Sequence, residues 1–301
     1  MTKKTPLFNR IAVIGRAENK SIRETMCRII KILNDHKLQV YVDETMFHLL
    51  NFRDISPMQL KLIETEIDLA IVIGGDGSLL GASRQLVKFN IPVIGINQGT
   101  LGFLTDVRPH EIEKKLNSCL SGKFEKEMRS LIEIEVIRNG SCLASSLALN
   151  DAVLHKGQNS GMLTLELTID EEFVCSSRSD GFIISTPTGS TAYALSAGGP
   201  IIHPSLRTLL LVPMFPHTLN TRPVVVPGSS ICSFRIKEPC ESIPQVICDG
   251  QTHISLNYRD QVVVKTSKES LTLLHPSGYS YFEACRSKLH WGGRIEVDYE
   301  D

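Results

Sequence analysis

The densest group of chemically suited residues in this sequence is a glycine loop that contains one acid. Gly74, Gly75, Gly77 and Gly81 fall within eight residues, and Asp76 lies among them. Glycines let a backbone approach a ligand closely, and a helix that follows such a loop favours a phosphate at its N-terminus. A carboxylate inside the loop would repel a pyrophosphate unless a metal ion or a reacting hydroxyl stood between them. The loop therefore predicts phosphate binding, and Asp76 indicates chemistry at a phosphoryl group.

Two known types of nucleotide-binding loop fit this segment less well. The Walker sequence G-x-x-x-x-G-K-[ST] occurs nowhere in the chain. Gly75, Gly77 and Gly81 resemble a dinucleotide-binding fingerprint, but that fingerprint expects an acid at the end of the next strand, where this chain has Asn97. The remaining alternative is a plain strand-to-helix turn in which Asp76 caps the helix, although four glycines exceed what a cap requires.

A second segment rich in polar residues, 177–200, lies in the C-terminal half of the chain. It contains Arg178 and Asp180, then an apolar strand candidate, and then the hydroxyl-rich loop Thr186–Tyr193. Hydroxyls and N–H groups can hydrogen-bond sugars and bases, and a tyrosine ring can stack on a base. The alternative for this loop is a hairpin connection of turn-forming residues. A third piece, Leu149–Asp151, places an amide and a carboxylate at a strand end, where a turn is also an alternative.

The elements that must position the glycine loop alternate between strands and helices. Short apolar runs predict strands, and apolar residues at three- and four-residue spacing predict helices. The predicted strands are Ile11–Ile14, Gln39–Val42, Ile67–Ile73 and Ile91–Ile96, and the predicted helices are Ser21–Asn34, Leu79–Phe89 and His110–Leu120. Such alternation predicts a parallel sheet covered by helices.

The pattern then changes to short strands separated by Pro, Gly and polar turns. Asn139-Gly140 lies between the alternating runs Leu131–Ile137 and Leu143–Leu149, which is the strongest short-range signal of a hairpin. Further strand candidates are Leu163–Ile169, Phe182–Ser185, Leu209–Val212, Val224–Val226, Ile231–Ile236, Val246–Cys248, Val262–Lys265 and Leu271–Leu274. Many short strands of this kind predict an all-β domain of the sandwich type.

The sequence thus divides into three predicted parts. We expect an α/β domain over residues 1–125 that contains the glycine loop, and an all-β domain over residues 126–275. The remaining tail, 276–301, has helical spacing from Tyr279 to His290 and is expected to pack back on the N-terminal domain.

Composition excludes several classes of protein. The chain has 301 residues, of which 42% are hydrophobic and 22% charged, as is typical of soluble globular proteins. Its formal net charge of −1 gives no sign of a nucleic-acid or anionic-membrane partner. The N-terminus lacks the apolar stretch of a signal peptide, and the apolar runs are too short to cross a bilayer. The eight cysteines include no C-x-x-C pair, so we expect a cytoplasmic protein with reduced thiols and no bound zinc.

The three polar segments together resemble the NAD kinase family. Gly74–Gly77 stands where the family has its GGDG motif, and Asn150-Asp151 matches its Asn-Asp/Glu pair. Arg178–Gly181 followed by Thr186–Tyr193 matches the family's longest motif, and Leu101–Asp106 resembles a further family element. A GGDG loop also occurs in diacylglycerol-type lipid kinases and 6-phosphofructokinases, so the Thr186–Tyr193 stretch is what selects NAD kinase.

This resemblance implies a fold and an activity. The implied fold, that of NAD kinases, has an N-terminal Rossmann-like α/β domain and a C-terminal β-sandwich-like domain. The implied activity is ATP-dependent phosphorylation of the 2′-hydroxyl on the adenosine ribose of NAD, which gives NADP, with Mg²⁺ arriving on the ATP phosphates. The resemblance further implies that nucleotide binds between the domains and that the β domain assembles a homo-oligomer, a dimer or a tetramer. The alternatives are another GGDG-type kinase, acting on a sugar phosphate or a lipid, and a non-catalytic NAD(P) sensor.

The resemblance also implies roles for single residues. Asp76 is expected to accept the proton of the reacting hydroxyl or to orient that hydroxyl. The residues expected to bind the nucleotides are Gly74, Gly75, Gly77, Asn150, Asp151, Arg178, Asp180, Thr191, Ala192, Tyr193, Ser196 and Gln251. Arg178 would pair with a phosphate or, as a structural pair, with Asp180. The histidines at 155, 203 and 253 are interpreted as structural or solvated.

Overall fold

The chain folds into two compact units. A computed structural model describes residues 7–15, 20–50, 55–58, 67–99, 102–157, 161–239 and 243–292. One unit contains the residues up to Glu127 and those from Thr272 onward, and the other unit is Met128–Leu271. In the described part of the chain, no helix is both long enough and apolar enough to span a membrane.

The first unit is built on a parallel sheet with helices between its strands. The strands are Arg10–Ile14 (β1), Gln39–Asp43 (β2), Ile55–Met58 (β3), Leu69–Ile73 (β4) and Val93–Ile96 (β5), and the helices are Lys20–Asp35 (α1), Glu44–Leu50 (α2), Asp76–Leu86 (α3) and Ile112–Leu120 (α4). The strands pair in the order β3-β2-β1-β4-β5, and every pair is parallel. This is the strand order of a Rossmann-type sheet, so the predicted Rossmann-like α/β domain is confirmed.

The apolar residues of this unit explain why its elements lie where they do. All five residues of β4 are buried, as expected for a strand with helices on both faces. On α1, Met26, Ile29, Ile30 and Leu33 are buried, and their spacing places them on one side of the helix. These side chains and those of the sheet form one apolar core, which fixes the carboxyl end of β4 where the glycine loop begins.

The described residues of the second unit form two sheets, one short α-helix and a 3₁₀ turn, and the first and last strands continue into the first unit. Its elements are Phe124–Arg138 (β6), Ser141–Ala148 (β7), Asp151–His155 (β8), Leu163–Ile169 (β9), Glu172–Ser179 (β10), Gly181–Ser185 (β11), Tyr193–Ser196 (α5), Thr208–Met214 (β12), Val224–Pro227 (β13), Cys232–Ile236 (β14), Gln245–Cys248 (β15), Thr252–Ser255 (β16) and Gln261–Pro276 (β17). One sheet contains β10-β9-β14-β17 with β6 and β7, and the other has the order β13-β12-β11-β8-β15-β16.

The two sheets of the second unit share one apolar core. Phe182 on β11 and Phe234 on β14, which belong to different sheets, have ring centroids 5.2 Å apart. Buried residues of β6, β8, β9, β12 and β17 belong to the same cluster. A core enclosed by two facing sheets confirms the predicted sandwich-like all-β domain.

The predicted hairpin turn at Asn139-Gly140 is confirmed, and a second turn of the same kind follows β9. Asn139 and Gly140 join β6 to β7 with φ angles of 51° and 78°. Asp170 and Glu171 join β9 to β10 with φ angles of 50° and 69°. Two successive residues with positive φ match the twist of antiparallel strands, which is why Asn-Gly predicted the first turn correctly.

The end of β17 and the helix after it belong to the first unit. Val262–Lys265 and Leu271–Leu274 were expected as separate strands, but both lie in the single strand β17. Leu273 near its end pairs in parallel with Val93 of β5. A final helix, Tyr281–Leu289 (α6), begins after Ser280, whose hydroxyl accepts a hydrogen bond of 3.3 Å from the N–H of Glu283.

Candidate active site

Asp76 lies at the carboxyl edge of the parallel sheet. It is the first residue of α3, and Gly75 before it is the N-cap residue. The N–H of Gly74 donates a 2.9 Å hydrogen bond to the carbonyl of Ile96, which ties the loop to the end of the neighbouring strand β5. Ligands of open α/β sheets bind at this edge, so the glycine loop lies where a phosphate site is expected.

The Asp76 carboxylate is held by the segment after β5 and does not cap its own helix. Its Oδ2 accepts a 2.9 Å hydrogen bond from the N–H of Phe103. Its Oδ1 accepts hydrogen bonds from the N–H of Leu104, at 3.1 Å, and from the hydroxyl of Thr105, at 3.2 Å. A side chain at Gly102 would collide with this carboxylate. The interpretation of Asp76 as a simple N-cap is therefore wrong.

The glycines of the loop fall into two kinds. Gly74 has a φ of +149°, and a Cβ there would collide with the side chain of Ser78, so the fold itself requires this glycine. At Gly75 and Gly77, a Cβ would meet no non-neighbouring atom of the described residues within 4 Å. The packing of the described chain leaves these two positions open, and the open space adjoins the N-terminus of α3, where a phosphate binds favourably.

Lys288 on α6 is a member of this site that the sequence did not indicate. Its Nζ lies 3.5 Å from Oδ2 of Asp76 and 5.1 Å from the centroid of the Phe103 ring. Since Lys288 lies 212 positions after Asp76 in the chain, no local motif could link the two. The hydrogen-bond donors at residues 103–105 were equally hidden, although Leu101–Asp106 resembles a family element. Leu101 itself lies outside the described residues.

A second group of polar residues lies at one end of the β13-to-β16 sheet. Asn150 and Asp151 lie at the start of β8, and the turn after β15 brings Asp249 against them. The Asp249 carboxylate accepts hydrogen bonds from the N–H groups of Leu149, at 3.0 Å, of Asn150, at 2.8 Å, and of Asp151, at 3.3 Å. Gln251 follows in the same turn, where it is exposed and its N–H donates a 3.0 Å hydrogen bond to the Cys248 carbonyl.

Asp151 is an acid in an unfavourable environment. Its side chain is 5% exposed. Burial is the main cause that raises the pKa of Asp151 to about 7, and the negative charge of Asp249 acts in the same direction. Acids whose pKa is displaced by burial and by a neighbouring charge are often found at functional sites.

The hydroxyl-rich loop packs directly on Asn150. The Thr186 N–H donates to the Asn150 carbonyl at 2.8 Å, and the Thr186 hydroxyl donates to the Leu149 carbonyl at 2.6 Å. A Cβ at Gly189 would run into the Asn150 carbonyl oxygen, so only glycine allows this approach. The guanidinium of Arg129, almost fully buried on β6, donates to the Thr188 hydroxyl at 3.4 Å and was not predicted.

The residues after this loop remain accessible. Thr188–Thr191 forms a 3₁₀ turn and α5 follows it, with Ala192 between the two. Tyr193 is 46% exposed, and Ser196 is also exposed. An exposed ring beside hydroxyl groups can stack on a base while the hydroxyls bind its sugar.

Arg178 and Asp180 do not join this group. Asp180 precedes β11 at the end where Gly181 pairs with His155, whereas Asp151 pairs with the other end of β11. At about 3.3 Å per residue, β11 separates these ends by about 13 Å. Asp180 forms a 2.8 Å ion pair with Lys156, and Arg178 is exposed, so the expected alternative of an Arg178–Asp180 pair is wrong.

None of the histidines expected to be structural or solvated belongs to a metal-binding group in the described part of the chain. Within the described ranges, no three His, Cys, Asp or Glu side chains are grouped so as to hold a metal ion. The Nδ1 atoms of His155, His203 and His253 each contact a nearby polar group, which is compatible with structural or solvated histidines. His275 was not predicted: it is 1% exposed and bridges Asp106, at 3.1 Å, and Glu127, at 2.9 Å.

Comparison with protein families agrees with this geometry. A Rossmann-type sheet whose edge carries an acid in a glycine loop defines a phosphate-binding α/β protein. The model of the ATP-NAD kinase N-terminal domain matches residues 11–124, and that of the ATP-NAD kinase C-terminal domain matches residues 149–275. The chain belongs to the ATP-NAD kinase family.

Individual relatives are similar over nearly the whole chain. The NAD kinases of Pseudomonas putida strain W619 and Pseudomonas entomophila strain L48 are each 46% identical over 288 residues, covering 96% of this chain and 97% of the relative. The crystal structure of yeast NADH kinase complexed with NADH is 25% identical with a TM-score of 0.88, covering 98% of this chain and 91% of that one. An NAD kinase from Archaeoglobus fulgidus in complex with ATP is 24% identical with a TM-score of 0.74, covering 93% and 98%, and this likeness shows the fold alone.

Proposed function

We propose that this chain is an enzyme that transfers the γ-phosphoryl group of ATP to the 2′-hydroxyl on the adenosine ribose of NAD, which gives NADP. The family membership and the near full-length likeness to NAD kinases support this activity. The observation that carries the chemistry is Asp76, a carboxylate fixed at the sheet edge beside the open positions of Gly75 and Gly77. Neither another GGDG-type kinase nor a non-catalytic sensor is favoured, because both halves of the chain match NAD kinase models.

In this reaction, the ribose oxygen forms a bond to the γ-phosphorus while the bond from that phosphorus to the β-phosphate oxygen breaks and ADP leaves. Phosphoryl transfer depends mainly on in-line positioning and on stabilising charge. Asp76 orients the hydroxyl and accepts its proton as the new bond forms. A carboxylate is a weak base toward an alcohol, so orientation contributes more than proton abstraction.

The phosphates of ATP are expected at the glycine loop. The N-terminus of α3 and the uncrowded backbone at Gly75 and Gly77 suit them, while Gly74 shapes the turn. ATP is ordinarily bound together with Mg²⁺, which neutralises part of the phosphate charge. The oxygens of Asp76 are the hard ligands that such a cation accepts, and a cation that rides on the phosphates needs few ligands from the protein.

The residues of the second unit are proposed to bind NAD. Asn150 and Asp151 would hydrogen-bond its hydroxyl and amide groups, with Gln251 beside them. The wall around the adenosine is proposed to consist of Thr191, Ala192, Tyr193 and Ser196. The exposed ring of Tyr193 and the displaced pKa of Asp151 support these roles.

The β domain is proposed to assemble a homo-oligomer, a dimer or a tetramer. Val224 and Val225 are about half exposed on β13, which is an edge strand of its sheet, and unpaired apolar edges favour pairing with another chain. In one chain Arg178 and Asp180 lie apart from Asn150, so for all three to bind one ligand, a second copy of the chain would have to supply Arg178 and Asp180. Light scattering on Val225→Lys is expected to show a smaller species than the unaltered chain, and an unchanged mass would contradict this edge as the interface.

A cytoplasmic location is proposed as well. Buried Cys119 and Cys232 remain thiols, which persist in reducing compartments. Nucleotides are the proposed partners, without nucleic acid or membrane.

The activity is tested by offering the purified chain ATP together with NAD, fructose 6-phosphate or diacylglycerol in separate assays. An NADP-specific dehydrogenase, which requires the 2′-phosphate, detects the product. We expect NADP from NAD and no turnover of the other two acceptors. Phosphorylation of the sugar or lipid without NADP, or nucleotide binding without any product, would contradict the proposal.

A further inference from the structure

Lys288 occupies a defined position on the last helix. Tyr281, Ala284 and Cys285 are buried on α6, and Lys288 follows them at the spacing that continues the same helix face. The ring of Tyr281 lies 6.3 Å from the ring of Phe103, measured between centroids. The packing of α6 therefore directs Lys288 toward the segment that holds Asp76.

Each oxygen of the Asp76 carboxylate has two partners. Oδ1 accepts from Leu104 and Thr105, and Oδ2 accepts from Phe103 and lies 3.5 Å from the Lys288 ammonium. Among the ion pairs of the described residues, Asp76 has no cationic partner besides Lys288. Removal of this lysine leaves Oδ2 with one neutral donor, so the carboxylate keeps its three neutral hydrogen bonds but loses the cation that holds it most strongly in one orientation.

The pair adds little to the stability of the fold. The side chains of Lys288 and Asp76 are 24% and 28% exposed, so solvent screens their attraction. Pairs of this kind contribute little to the stability of a fold. A long lysine side chain loses conformational freedom when it is held beside a carboxylate, and the small gain in stability does not explain this contact. The contact points instead to a role in the reaction.

We propose that Lys288 is a positioning residue for the phosphoryl transfer. Its ammonium holds the Asp76 carboxylate in the orientation that meets the reacting hydroxyl, so its effect reaches the substrate through Asp76. This inference rests on the proposed function of Asp76. It predicts an effect on kcat, because the orientation matters when the new bond forms, and little effect on the KM of either substrate.

The first experiment compares Lys288→Met, Lys288→Arg and the control Arg286→Met. Arg286 is an exposed cation on the same helix, so its removal changes the charge of α6 without touching Asp76. We expect kcat to fall about 10–100-fold in Lys288→Met, with both KM values within about twofold and with a substantial part of kcat restored in Lys288→Arg. Arg286→Met should keep full activity. Thermal unfolding should show that all three variants fold.

Several results would overturn the inference. A kcat within about twofold of the unaltered enzyme in Lys288→Met would remove Lys288 from the reaction. A raised KM for ATP with unchanged kcat would show that Lys288 binds a phosphate. An equal loss of kcat in Arg286→Met would show that the effect comes from the total charge of α6 and not from the position of Lys288. If the unaltered chain makes no NADP at all, the proposed function itself fails. That result can be told apart from the three results above, in which the unaltered chain is active.

A double-mutant cycle tests whether Lys288 acts through Asp76. With enzyme in excess over NAD, the residual turnover of Asp76→Asn is compared with that of Asp76→Asn combined with Lys288→Met. The inference predicts equal turnover, because the group that Lys288 positions is already gone. A further tenfold loss in the double variant would show an independent role and contradict the inference.

Discussion

Two acids show how differently single residues are used in this molecule. Asp76 is fixed by three neutral donors and one cation at the edge of a sheet. Asp151 is buried beside another acid, Asp249, and no hydrogen bond from another described residue to its side chain is seen. The sequence indicated Asp76 because an acid among glycines is unusual, but residues 103–105 and Lys288, which hold it, are distant in the chain and could not be predicted.

Asp76→Asn is expected to lower turnover by about 10²–10⁴-fold and to leave nucleotide binding intact. The amide keeps the shape of the side chain but cannot accept a proton. Turnover is measured by NADP formation and binding by calorimetry. Asp35→Asn, an exposed change on α1, is the matched control and should be fully active. Undiminished turnover in Asp76→Asn would remove this residue from the mechanism.

Asp151→Asn is expected to stabilise the fold while weakening the binding of NAD. The pKa of Asp151 is about 7 in the folded chain and about 3.9 in an unfolded one. The folded state therefore binds more protons between these pH values, and stability falls as the pH rises through this window. The variant should gain ~1–3 kcal/mol at about pH 8 and almost nothing at about pH 4, as measured by urea denaturation. An equal gain at both pH values would contradict the assigned pKa.

At the scale of elements, the glycine loop combines a structural glycine with two that the described chain leaves open. Gly74 has positive φ and lies against Ser78, so the turn depends on it. Gly75 and Gly77 have room for a methyl group. Gly74 is therefore explained by its backbone conformation, and we propose that Gly75 and Gly77 leave space for a ligand.

Gly77→Ala and Gly74→Ala should therefore have opposite effects on stability. Gly77 is the second residue of α3, where alanine favours the helix, so stability should rise by up to ~1 kcal/mol while turnover falls at least about tenfold. Gly74→Ala should cost ~1–3 kcal/mol. Thermal unfolding and NADP formation measure the two effects. Full activity in Gly77→Ala would show that the open space is not used by a substrate.

The sequence predicted most elements but not their extent. Apolar runs located β1, β4 and β5 because buried parallel strands consist of little else. The two strands predicted at 262–265 and 271–274 merge into β17, because the polar stretch between them continues as strand. Helix α2 and strand β3 were missed, since neither has a clear apolar period. Tertiary contacts, which propensity does not encode, decide such cases.

At the scale of the whole chain, His275 joins three distant segments of the first unit. Its ring bridges Asp106, after β5, and Glu127, on β6, and stacks on Tyr279 at 3.8 Å between centroids. Burial lowers the pKa of His275, but hydrogen bonds to the two carboxylates outweigh burial, so the pKa is raised. The imidazolium thus links the segment that holds Asp76 to the end of β17.

The pKa of His275 is raised in the folded state, so the stability that His275 contributes depends on pH. The contribution is complete below the pKa of histidine in the unfolded chain, about 6.5, and is lost as the pH rises through the pKa of the folded state. His275→Gln is expected to cost ~1–3 kcal/mol at about pH 6 and less at about pH 9. Urea denaturation of both proteins at the two pH values measures the difference. His253→Gln, at an exposed position, serves as control. A cost that is larger at the higher pH would contradict the charged bridge.

The role of Asp76 is tested most directly by a structure of the chain with NAD and a non-hydrolysable analogue of ATP. We expect the 2′-oxygen of the adenosine ribose to lie within about 2.6–3.2 Å of the Asp76 carboxylate. The same 2′-oxygen should face the γ-phosphorus, in line with the bond from that phosphorus to the β-phosphate. A ribose bound elsewhere, with a different group beside its 2′-oxygen, would contradict this role.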